Sequence, residues 1–411
     1  MEKLRGAAVF GQSGGPTSVI NASAAGVFIT ALGEDCITKV YGAGHGIRGM
    51  LEEDLYDISK EDPEELELMK TTPSSALGSV RYKMADPDVD DTDYKRLLEV
   101  FKKYDIRYFF YNGGNDSMDT CNKISKFMQK SGYECRCMGV PKTIDNDLYG
   151  TDHCPGYGSA AKYINTSIME VYQDARVYDT GMVCIIEIMG RNAGWLTASS
   201  ILAAERGMGP DLIYLPERDF SKEQFMADVK RVYDSNGHKV LVAASEGIHY
   251  SDGTLVAASG TKDQFGHAQL GGAGATLAQW AKEAVGSKVR SIELSLLQRC
   301  AAHSASATDV AESYEAGKTA VEKAVEGLTD YCIGFEVTRK PEYKCEMKLI
   351  PLDEVANTEK KIPDEWINAE GNFVTHDMAE YVLPLVQGES RPPMENGLPK
   401  YAVLKKVKAE I

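Results

Sequence analysis

Short apolar runs alternate with helical patterns along most of the chain, and this alternation restricts the fold more than any other feature of the sequence. Strand-like runs lie at residues 7–10, 37–41, 106–111, 137–140, 182–188, 212–215 and 240–244, and helical patterns begin near Val19 and cover residues 94–103. Strands that alternate with helices form parallel sheets with crossover helices. We therefore predict an α/β fold with mostly parallel sheets, in which ligands bind at the carboxyl ends of the strands.

Length and charge narrow the class of protein. A chain of 411 residues, 43% of them hydrophobic, can bury a large core and predicts two or three domains. Its net charge of −16 argues against a nucleic-acid partner, because affinity for a phosphate backbone requires a basic face. No stretch approaches the roughly 18 apolar residues of a membrane span, and the apolar run before Gly11 is too short for a signal peptide. We expect a cytoplasmic protein without a membrane partner.

Cysteine and histidine spacing does not indicate a metal centre. The nine cysteines include only one close pair, Cys135 and Cys137, and no C-x-x-C motif, so reduced buried thiols are expected. None of the seven histidines shows metal-ligand spacing. Beyond about residue 340 the regular order weakens: "ESRPPMENGLPK" is interpreted as irregular surface, and residues 378–385 show a short helical pattern. This segment is expected to cap a domain or to make a subunit contact.

Unusual loops follow the apolar runs. The first, "GQSGGPTSVIN", places glycines between a strand and a helix, where backbone N–H groups and the helix N-terminus attract anions. Glycine-rich turns also serve packing alone, so this loop leaves both interpretations open. In "ALGSVRYK", Arg81 and Lys83 lie on the same side of an extended backbone and suit a phosphoryl group, although a solvated surface pair is the alternative.

Two further loops carry acidic groups. "YNGGNDSMDT" places Asn115 and Asp116 directly after two glycines. "GVPKTIDNDLYGTD" contains Lys142 and Thr143, followed by Asp145, Asp147 and Asp152. A carboxylate in such a loop can accept the proton of a sugar hydroxyl during attack on phosphorus, whereas a self-capping turn is the alternative.

The remaining loops contribute to the other half of the predicted site. "IEIMGRNAGWL" ends a strand at Gly190 and Arg191, "ASEGI" places Glu246 at another strand end, and "VRSIELSLLQRC" brackets a strand with Arg290 and Arg299. Glutamate accepts hydrogen bonds from sugar hydroxyls, and paired arginines bind phosphate monoesters. Each arginine alone is typical of a protein surface, but their recurrence at strand ends indicates an anion site.

Together and in this order, these motifs resemble the phosphofructokinase family, in particular its bacterial type with two Rossmann-like α/β/α domains. The resemblance extends over about residues 7–334, and "PKTIDND" and "MGR" are its most specific parts. It implies an active site in the cleft between a donor domain (residues 1–152 with about 303–340) and a sugar-phosphate domain (153–302), followed by an extension (341–411). It also implies a homodimer or homotetramer.

The resemblance implies a role for each motif. Asp145 would be the general base toward the 1-hydroxyl of fructose 6-phosphate, assisted in catalysis by Lys142, Arg81 and Arg191. The residues implied to bind the phosphoryl donor are Gly14, Gly15, Arg81, Asn115, Asp116, Ser117 and Lys142. Those implied to bind the sugar phosphate are Thr143, Asp145, Asp147, Met189, Gly190, Arg191, Glu246, Arg290, Leu296 and Arg299. Mg²⁺ would lie between the donor and Asn115.

Donor choice is implied by two positions. ATP-using members carry G-G-D-G-S and P-G-T-I-D-N-D, and pyrophosphate-using members carry G-G-D-D-S and P-K-T-I-D-N-D, whereas this chain has "GGNDS" and "PKTIDND". Asp116 would lie where the α-phosphate of ATP lies, and two unit charges about 4 Å apart repel by roughly 4 kcal/mol at an effective dielectric of about 20. Lys142 would bind pyrophosphate. The implied reaction is reversible, Mg²⁺-dependent phosphoryl transfer from pyrophosphate to fructose 6-phosphate.

Departures from the family pattern keep alternatives open. Asn115 replaces the usual metal-binding aspartate, and Met182 replaces an arginine that reaches across subunits in many ATP-using members. Leu296 replaces an aromatic residue or histidine, so a different or larger ketose phosphate is an alternative acceptor. An ATP-dependent enzyme and a non-catalytic regulatory subunit on the same fold are the alternative functions, and the set of Asp145, Arg81, Lys142 and Arg191 argues against the second.

Overall fold

Two large sheets, each covered by helices, and one small two-stranded sheet organise the computed structural model, which describes residues 3–256, 272–356 and 358–411. The strands are β1 Gly6–Gln12, β2 Ile37–Ala43, β3 Leu55–Asp57, β4 Ile106–Gly113, β5 Arg136–Pro141, β6 Met182–Ile188, β7 Leu212–Tyr214, β8 Lys239–Ser245, β9 Lys288–Glu293, β10 Tyr331–Thr338, β11 Lys344–Pro351, β12 Met394–Glu395 and β13 Leu398–Pro399.

The helices connect successive strands and flank the sheets. They are α1 Ile20–Leu32, α2 Ile47–Glu52, α3 Pro63–Leu68, α4 Thr92–Lys103, α5 Asn115–Lys130, α6 Tyr157–Ala175, α7 Trp195–Ala198, α8 Ile201–Glu205, α9 Lys222–Ser235, α10 Ala273–Val285, α11 Leu297–Cys300, α12 Ala307–Val325, α13 Leu352–Val355 and α14 His376–Val382. Short 3-10 turns lie at Ile58–Lys60, Met69–Thr71, Ala302–Ser304, Asp364–Trp366 and Leu383–Val386.

The topology of the sheets brings the predicted loops together. The first sheet is 7-stranded, with the order β11-β10-β5-β4-β1-β2-β3, and the second is 4-stranded, with the order β7-β8-β6-β9. Strands β1, β2, β4 and β5 are parallel, and so are all four strands of the second sheet. The loops after β1, β4 and β5 therefore share one edge of the first sheet, and those after β6, β8 and β9 share one edge of the second.

The predicted elements are confirmed as strands and helices, with end points that differ by up to a few residues. The residues of β1 are buried throughout, which is expected for a strand covered by helices on both faces. Helix α4 buries Tyr94, Leu97, Val100 and Phe101, which recur at the helical period and form one apolar face. Its polar residues lie on the opposite, outer face. Two mostly parallel sheets with helices, as predicted, form the architecture; in the first sheet β3 and β11 are the antiparallel strands.

The expectation that regular order weakens after about residue 340 was wrong for β11, which pairs antiparallel with β10 from Tyr331–Pro351 to Thr338–Lys344. The signal is an alternation of Lys344 and Glu346 with the partly buried Cys345 and Met347. Alternating charged and apolar residues are typical of an edge strand with one face on the core. The first sheet therefore continues past the residue where the predicted donor domain ends.

The chain beyond β11 packs against the rest of the molecule. The predicted short helix is present as α14, whose Met378 and Val382 lie in the core of the second sheet's domain. All nine cysteines are free thiols, buried except for Cys300 and Cys345, which are partly exposed. Within the described ranges, no helix combines the length and apolar character that a membrane crossing requires.

Candidate active site

The glycine turn after β1 lies against the basic loop at Arg81. Gly14 has φ 76°, a left-handed conformation that glycine adopts without strain, and its N–H donates to the carbonyl of Val80 at 3.2 Å. The hydroxyl of Ser79 donates to the carbonyl of Gly14 at 2.6 Å. These bonds hold the "SGG" and "LGSVR" motifs together. The backbone of Arg81 therefore lies next to the glycine turn.

Lys142 reaches this turn from the end of β5. The residue is 4% exposed, and its ammonium donates to the carbonyl of Gly15 at 2.6 Å. A Cβ built on Gly14 would lie 3.1 Å from Lys142 Nζ, and one on Gly15 would lie 3.2 Å from an Arg299 guanidinium nitrogen. Side chains on this turn would therefore fill the space next to two cations, which is the space that an anionic ligand needs.

Burial shifts the pKa of Lys142. Desolvation lowers it to about 8, and the cations Arg81 and Arg299 act in the same direction. The carboxylates of Asp145 and Asp147 oppose this shift without cancelling it. The ammonium thus carries a desolvation cost that a bound anion would relieve.

Asp145 is at the centre of the charged cluster. Burial raises the pKa of Asp145 to about 6 and Glu246 adds to the rise, whereas Lys142, Arg191 and Arg299 lower it. Its backbone N–H donates to the Thr143 hydroxyl at 3.1 Å, which fixes the start of the loop. A carboxyl with this pKa is mostly ionised near neutral pH and is basic enough to accept a proton.

Asp147 lies beside Asn115 of the neighbouring loop. Burial raises its pKa to about 7, with Asp145 and Glu359 adding to the rise. Asn115 Nδ2 lies 3.4 Å from Oδ2 of Asp147; in the swapped amide orientation, in which the nitrogen donates to the carbonyls of Thr358 and Val355, the amide oxygen takes that position. Oxygens of carboxylates and amides are the ligands that Mg²⁺ prefers, so this pair fits a hard cation.

Helix α5 begins at Asn115 and presents its first turn to the site. Asp116 is exposed in that turn, and Ser117 is buried behind Gly113. A Cβ on Gly113 would lie 2.0 Å from Ser117 Oγ, so glycine is required where the strand turns into the helix. The glycine thus sets where α5 begins, and Asp116 lies exposed in the first turn of that helix.

The loops of the second sheet contribute a polar rim. Gly190 has φ 142°, and its N–H donates to the Glu246 carboxylate at 3.3 Å. The N–H of Met189 donates to the side chain of Gln298, which is 2% exposed, at 3.2 Å. Burial raises the pKa of Glu246. The "MGR", "SEG" and "QR" motifs therefore meet at one edge.

Charges from the two sheets act on each other. Desolvation lowers the pKa of Arg299 and Arg81 adds to that effect, whereas Asp145 and Glu246 raise it. Arg191 acts on both Asp145 and Glu246. Arg81, Lys142, Asp145, Arg191, Glu246 and Arg299 therefore form one electrostatic cluster across the two domains.

Arg290 and Leu296 are placed differently from this cluster. Arg290 pairs with Cys184 in the middle of β6, which is roughly 16 Å along the strand from Met189 at about 3.3 Å per residue. It lines a groove of about 570 Å³ with Met182, Glu170 and Asp174. Leu296 is 56% exposed. Arg290 is therefore placed away from Asp145 within this chain, whereas the carbonyl of Leu296 accepts from the N–H of Arg299 at 3.2 Å.

Sequence reasoning missed residues that support residues 142–152, the loop that carries Asp145 and is here called the base loop. Asn146 has φ 57°, its amide donates to the Tyr381 hydroxyl at 2.7 Å, and its carbonyl oxygen accepts from the Cys154 N–H at 2.9 Å. Lys360, in the extension, also bonds to this loop. The "IDND" motif pointed to Asn146, whereas no local pattern distinguishes Tyr381 or Lys360.

A second cluster of possible metal ligands lies elsewhere. Among the described residues, His153, Glu312 and Cys345 bring their ligand atoms within 4.8 Å of one another. The ring nitrogens of His153 already lie 2.9 Å from Asp152 and 2.7 Å from Glu312. Burial disfavours the charged ring, but the two carboxylates outweigh it and raise the pKa of His153. This geometry is a satisfied ion-pair network.

The geometry supports phosphoryl transfer chemistry. It combines a carboxylate that can accept a proton, a glycine turn next to buried cations and, with the Asn115 amide in its swapped orientation, a pair of oxygens that suits a divalent cation. These are the parts that position and stabilise a phosphoryl group in transfer.

Comparisons with known proteins agree with this chemistry. Residues 7–324 match the family model described as phosphofructokinase. The chain is 45% identical over 98% of its length to a pyrophosphate–fructose 6-phosphate 1-phosphotransferase of Halomonas elongata, covering 97% of that protein. It is also 45% identical, over 97% of its length and 95% of the relative, to the protein of that name from Methylococcus capsulatus. A crystal structure of a pyrophosphate-dependent phosphofructokinase from Marinobacter aquaeolei superposes with a TM-score of 0.89 at 41% identity, covering 98% of both chains.

Proposed function

The chain belongs to the phosphofructokinase family, and we propose that it transfers a phosphoryl group from pyrophosphate to the 1-hydroxyl of fructose 6-phosphate. The products are fructose 1,6-bisphosphate and phosphate. The observation that carries the proposal is the buried Lys142 ammonium, held against the glycine turn on one side and close to Asp145 on the other. Relatives that share nearly the full chain are named for the same reaction.

Asp145 activates the acceptor in this proposal. Its carboxylate takes the proton of the 1-hydroxyl as the sugar oxygen forms its bond to phosphorus, and the bond to the leaving phosphate breaks. The pKa of about 6 supports this role, because the group is ionised at neutral pH and still basic. Thr143 and Asp147 hold the loop on either side.

Lys142 and Arg81 stabilise the donor and the phosphate that leaves. Charge builds on the bridging oxygen as its bond breaks, and a cation already held in place stabilises that charge without reorganising. The backbone at Gly14 and Gly15 leaves room for the donor next to Lys142 and Arg299. Arg191 acts on Asp145 and is suited to the transferring group.

Asp116 selects the donor in this proposal. Its carboxylate is exposed in the first turn of α5, on the loop that also carries Asn115. ATP would bring its α-phosphate close to this negative charge. Pyrophosphate has only two phosphates, so it has no group at that position. Roughly 4 kcal/mol of repulsion, for charges about 4 Å apart at an effective dielectric of about 20, suffices for a preference of several hundredfold.

Mg²⁺ fits beside Asn115 and Asp147, whose side-chain ends lie 3.4 Å apart. We propose these two residues as its protein ligands. When bound, the cation supplies positive charge that neutralises the phosphate oxygens.

The sugar-phosphate end lies at the second sheet in this proposal. Glu246 is oriented by the Gly190 N–H and accepts from a sugar hydroxyl, and Arg299 contributes charge next to it. Arg290 lies on the exposed edge strand β9, which supports a homodimer or homotetramer in which this strand meets another chain. Light scattering of the purified protein tests that assembly.

Product analysis tests the reaction. Purified protein incubated with pyrophosphate, fructose 6-phosphate and Mg²⁺ is expected to give fructose 1,6-bisphosphate and phosphate in equal amounts, measured by phosphorus NMR. Starting from those products, pyrophosphate is expected to form. Hydrolysis of pyrophosphate without a sugar bisphosphate would refute the proposal.

A further inference from the structure

The chain crosses the candidate active site a second time, in residues 358–360, here called the crossing segment. Glu359 forms an antiparallel bridge with Leu148, and the N–H of Lys360 donates to the carbonyl of Asp147 at 2.8 Å. On the other side, the amide of Asn192 donates to the Glu359 carboxylate at 2.7 Å. The crossing segment therefore joins the base loop of the first domain to the loop after β6 in the second.

The ammonium of Lys360 donates hydrogen bonds to several oxygens of the base loop. Its ammonium donates to the carbonyl of Asp152 at 2.6 Å, to the carbonyl of Thr151 at 3.3 Å and to Oδ1 of Asn146 at 3.4 Å. It also lies 4.9 Å from the ring centre of Trp195. Burial lowers its pKa. All three oxygens belong to the loop that carries Asp145, so one cation fixes both the middle and the end of that loop.

Asn115 bonds to the same part of the chain. In the swapped orientation of its amide, the nitrogen of Asn115 donates to the carbonyl of Thr358 at 3.1 Å and to the carbonyl of Val355 at 3.2 Å. In that orientation the atom next to Asp147 is the amide oxygen, which leaves two oxygens side by side for a cation. An aspartate here would turn an acceptor toward two carbonyl oxygens, which explains why this chain has asparagine.

We propose that Val355, Thr358 and Lys360 form a clamp that positions the active site, and that Lys360 is a positioning residue for catalysis. The two carbonyls orient the amide of Asn115, and the ammonium fixes the base loop. The inference rests on the proposed function for the roles of Asn115 and Asp145. The bonds of the clamp can be measured without either substrate.

The first test removes the cation. Lys360→Met keeps the length of the side chain, Lys360→Arg restores a positive charge, and Lys361→Met is the matched control at the exposed neighbouring lysine. In Lys360→Met we expect kcat to fall about tenfold or more, with a smaller change in KM for fructose 6-phosphate, because a base displaced by a fraction of an ångström loses its near-attack geometry. Lys360→Arg is expected to recover part of kcat, and Lys361→Met to match the wild type.

Hydrogen exchange separates positioning from loss of folding. In Lys360→Met, amides of residues 143–152 are expected to exchange faster while the sheet strands stay protected. A kcat within twofold of the wild type, an Arg variant as inactive as the Met variant, or faster exchange throughout the molecule would each overturn the proposal.

The second test uses the asparagine and needs no turnover. In Asn115→Asp the carboxylate cannot donate to the carbonyls of Thr358 and Val355, so both bonds are lost. The amide of residue 360 is expected to exchange faster. Unchanged exchange of that amide would refute the clamp. Failure of the proposed function would appear instead as absent turnover of pyrophosphate by the wild type.

Discussion

Titration of Lys142 should make the affinity for pyrophosphate depend on pH. Burial lowers the pKa of this ammonium from 10.5 to about 8 in the free protein, so it is mostly charged near pH 7 and mostly neutral near pH 9. A bound anion beside the ammonium raises its pKa again, so donor binding takes up a proton at alkaline pH. The affinity should therefore fall by about tenfold between about pH 7 and about pH 9.

The assay is calorimetric titration with methylenediphosphonate, an analogue that cannot transfer its phosphoryl group, so the titration of Asp145 as a base does not enter the rate. Lys142→Arg keeps its charge throughout this range and should show little of the pH dependence. Lys142→Met is the control for the titration of the analogue itself and should bind weakly at every pH. The reasoning is refuted if wild type and Lys142→Met show the same dependence on pH.

Four further outcomes follow from the site and its supports. Lys142→Met should raise the free energy of unfolding by up to about 3 kcal/mol below about pH 8, where the full cost of the charged ammonium is present, at about 1.4 kcal/mol per pKa unit; urea denaturation measures this, and a less stable variant would contradict it. Asp145→Asn should lower kcat by about 10²–10⁴-fold, and wild-type kcat should fall as pH drops below about 6, because the base then carries a proton; a flat profile down to about pH 5 would exclude Asp145 as the base. The double variant Asp116→Gly and Lys142→Gly should raise the ratio of ATP to pyrophosphate use by about several hundredfold, and an unchanged ratio of kcat/KM would refute the two-residue explanation. Arg339→Met should cost about 3 kcal/mol of stability at neutral pH, because burial alone would raise the pKa of Asp152, and its bonds to Arg339 and His153 instead hold that pKa well below its usual range; this contribution should begin to fall as pH drops below about 4 and be lost only below the lowered pKa of Asp152, and a constant loss across that range would contradict it.

The α/β architecture and most of the cluster could be predicted from local patterns. Apolar runs such as residues 182–188 coincide with strands because parallel strands are buried on both faces and read as continuous apolar segments. The loops that follow them converge because parallel strands end at one edge. Lys142, Asp145 and Glu246 met in the structure for this reason.

The supports of the site could not be predicted in the same way. Lys360 and Tyr381 act on the base loop from 214 and 235 residues away from Asn146, and nothing in their own neighbourhood marks them. Position 115 shows the same limit. Its asparagine departs from the family pattern in the sequence, but the two carbonyls that accept its amide protons become visible only when the chain is folded.

Donor preference is the property on which the whole explanation of Asp116 and Lys142 depends. The most direct measurement compares kcat/KM for pyrophosphate and for ATP with one preparation of the protein, at saturating fructose 6-phosphate and Mg²⁺. Pyrophosphate is expected to support turnover, with ATP at least several hundredfold less effective at roughly 4 kcal/mol of repulsion. Turnover with ATP and none with pyrophosphate would contradict the assignment.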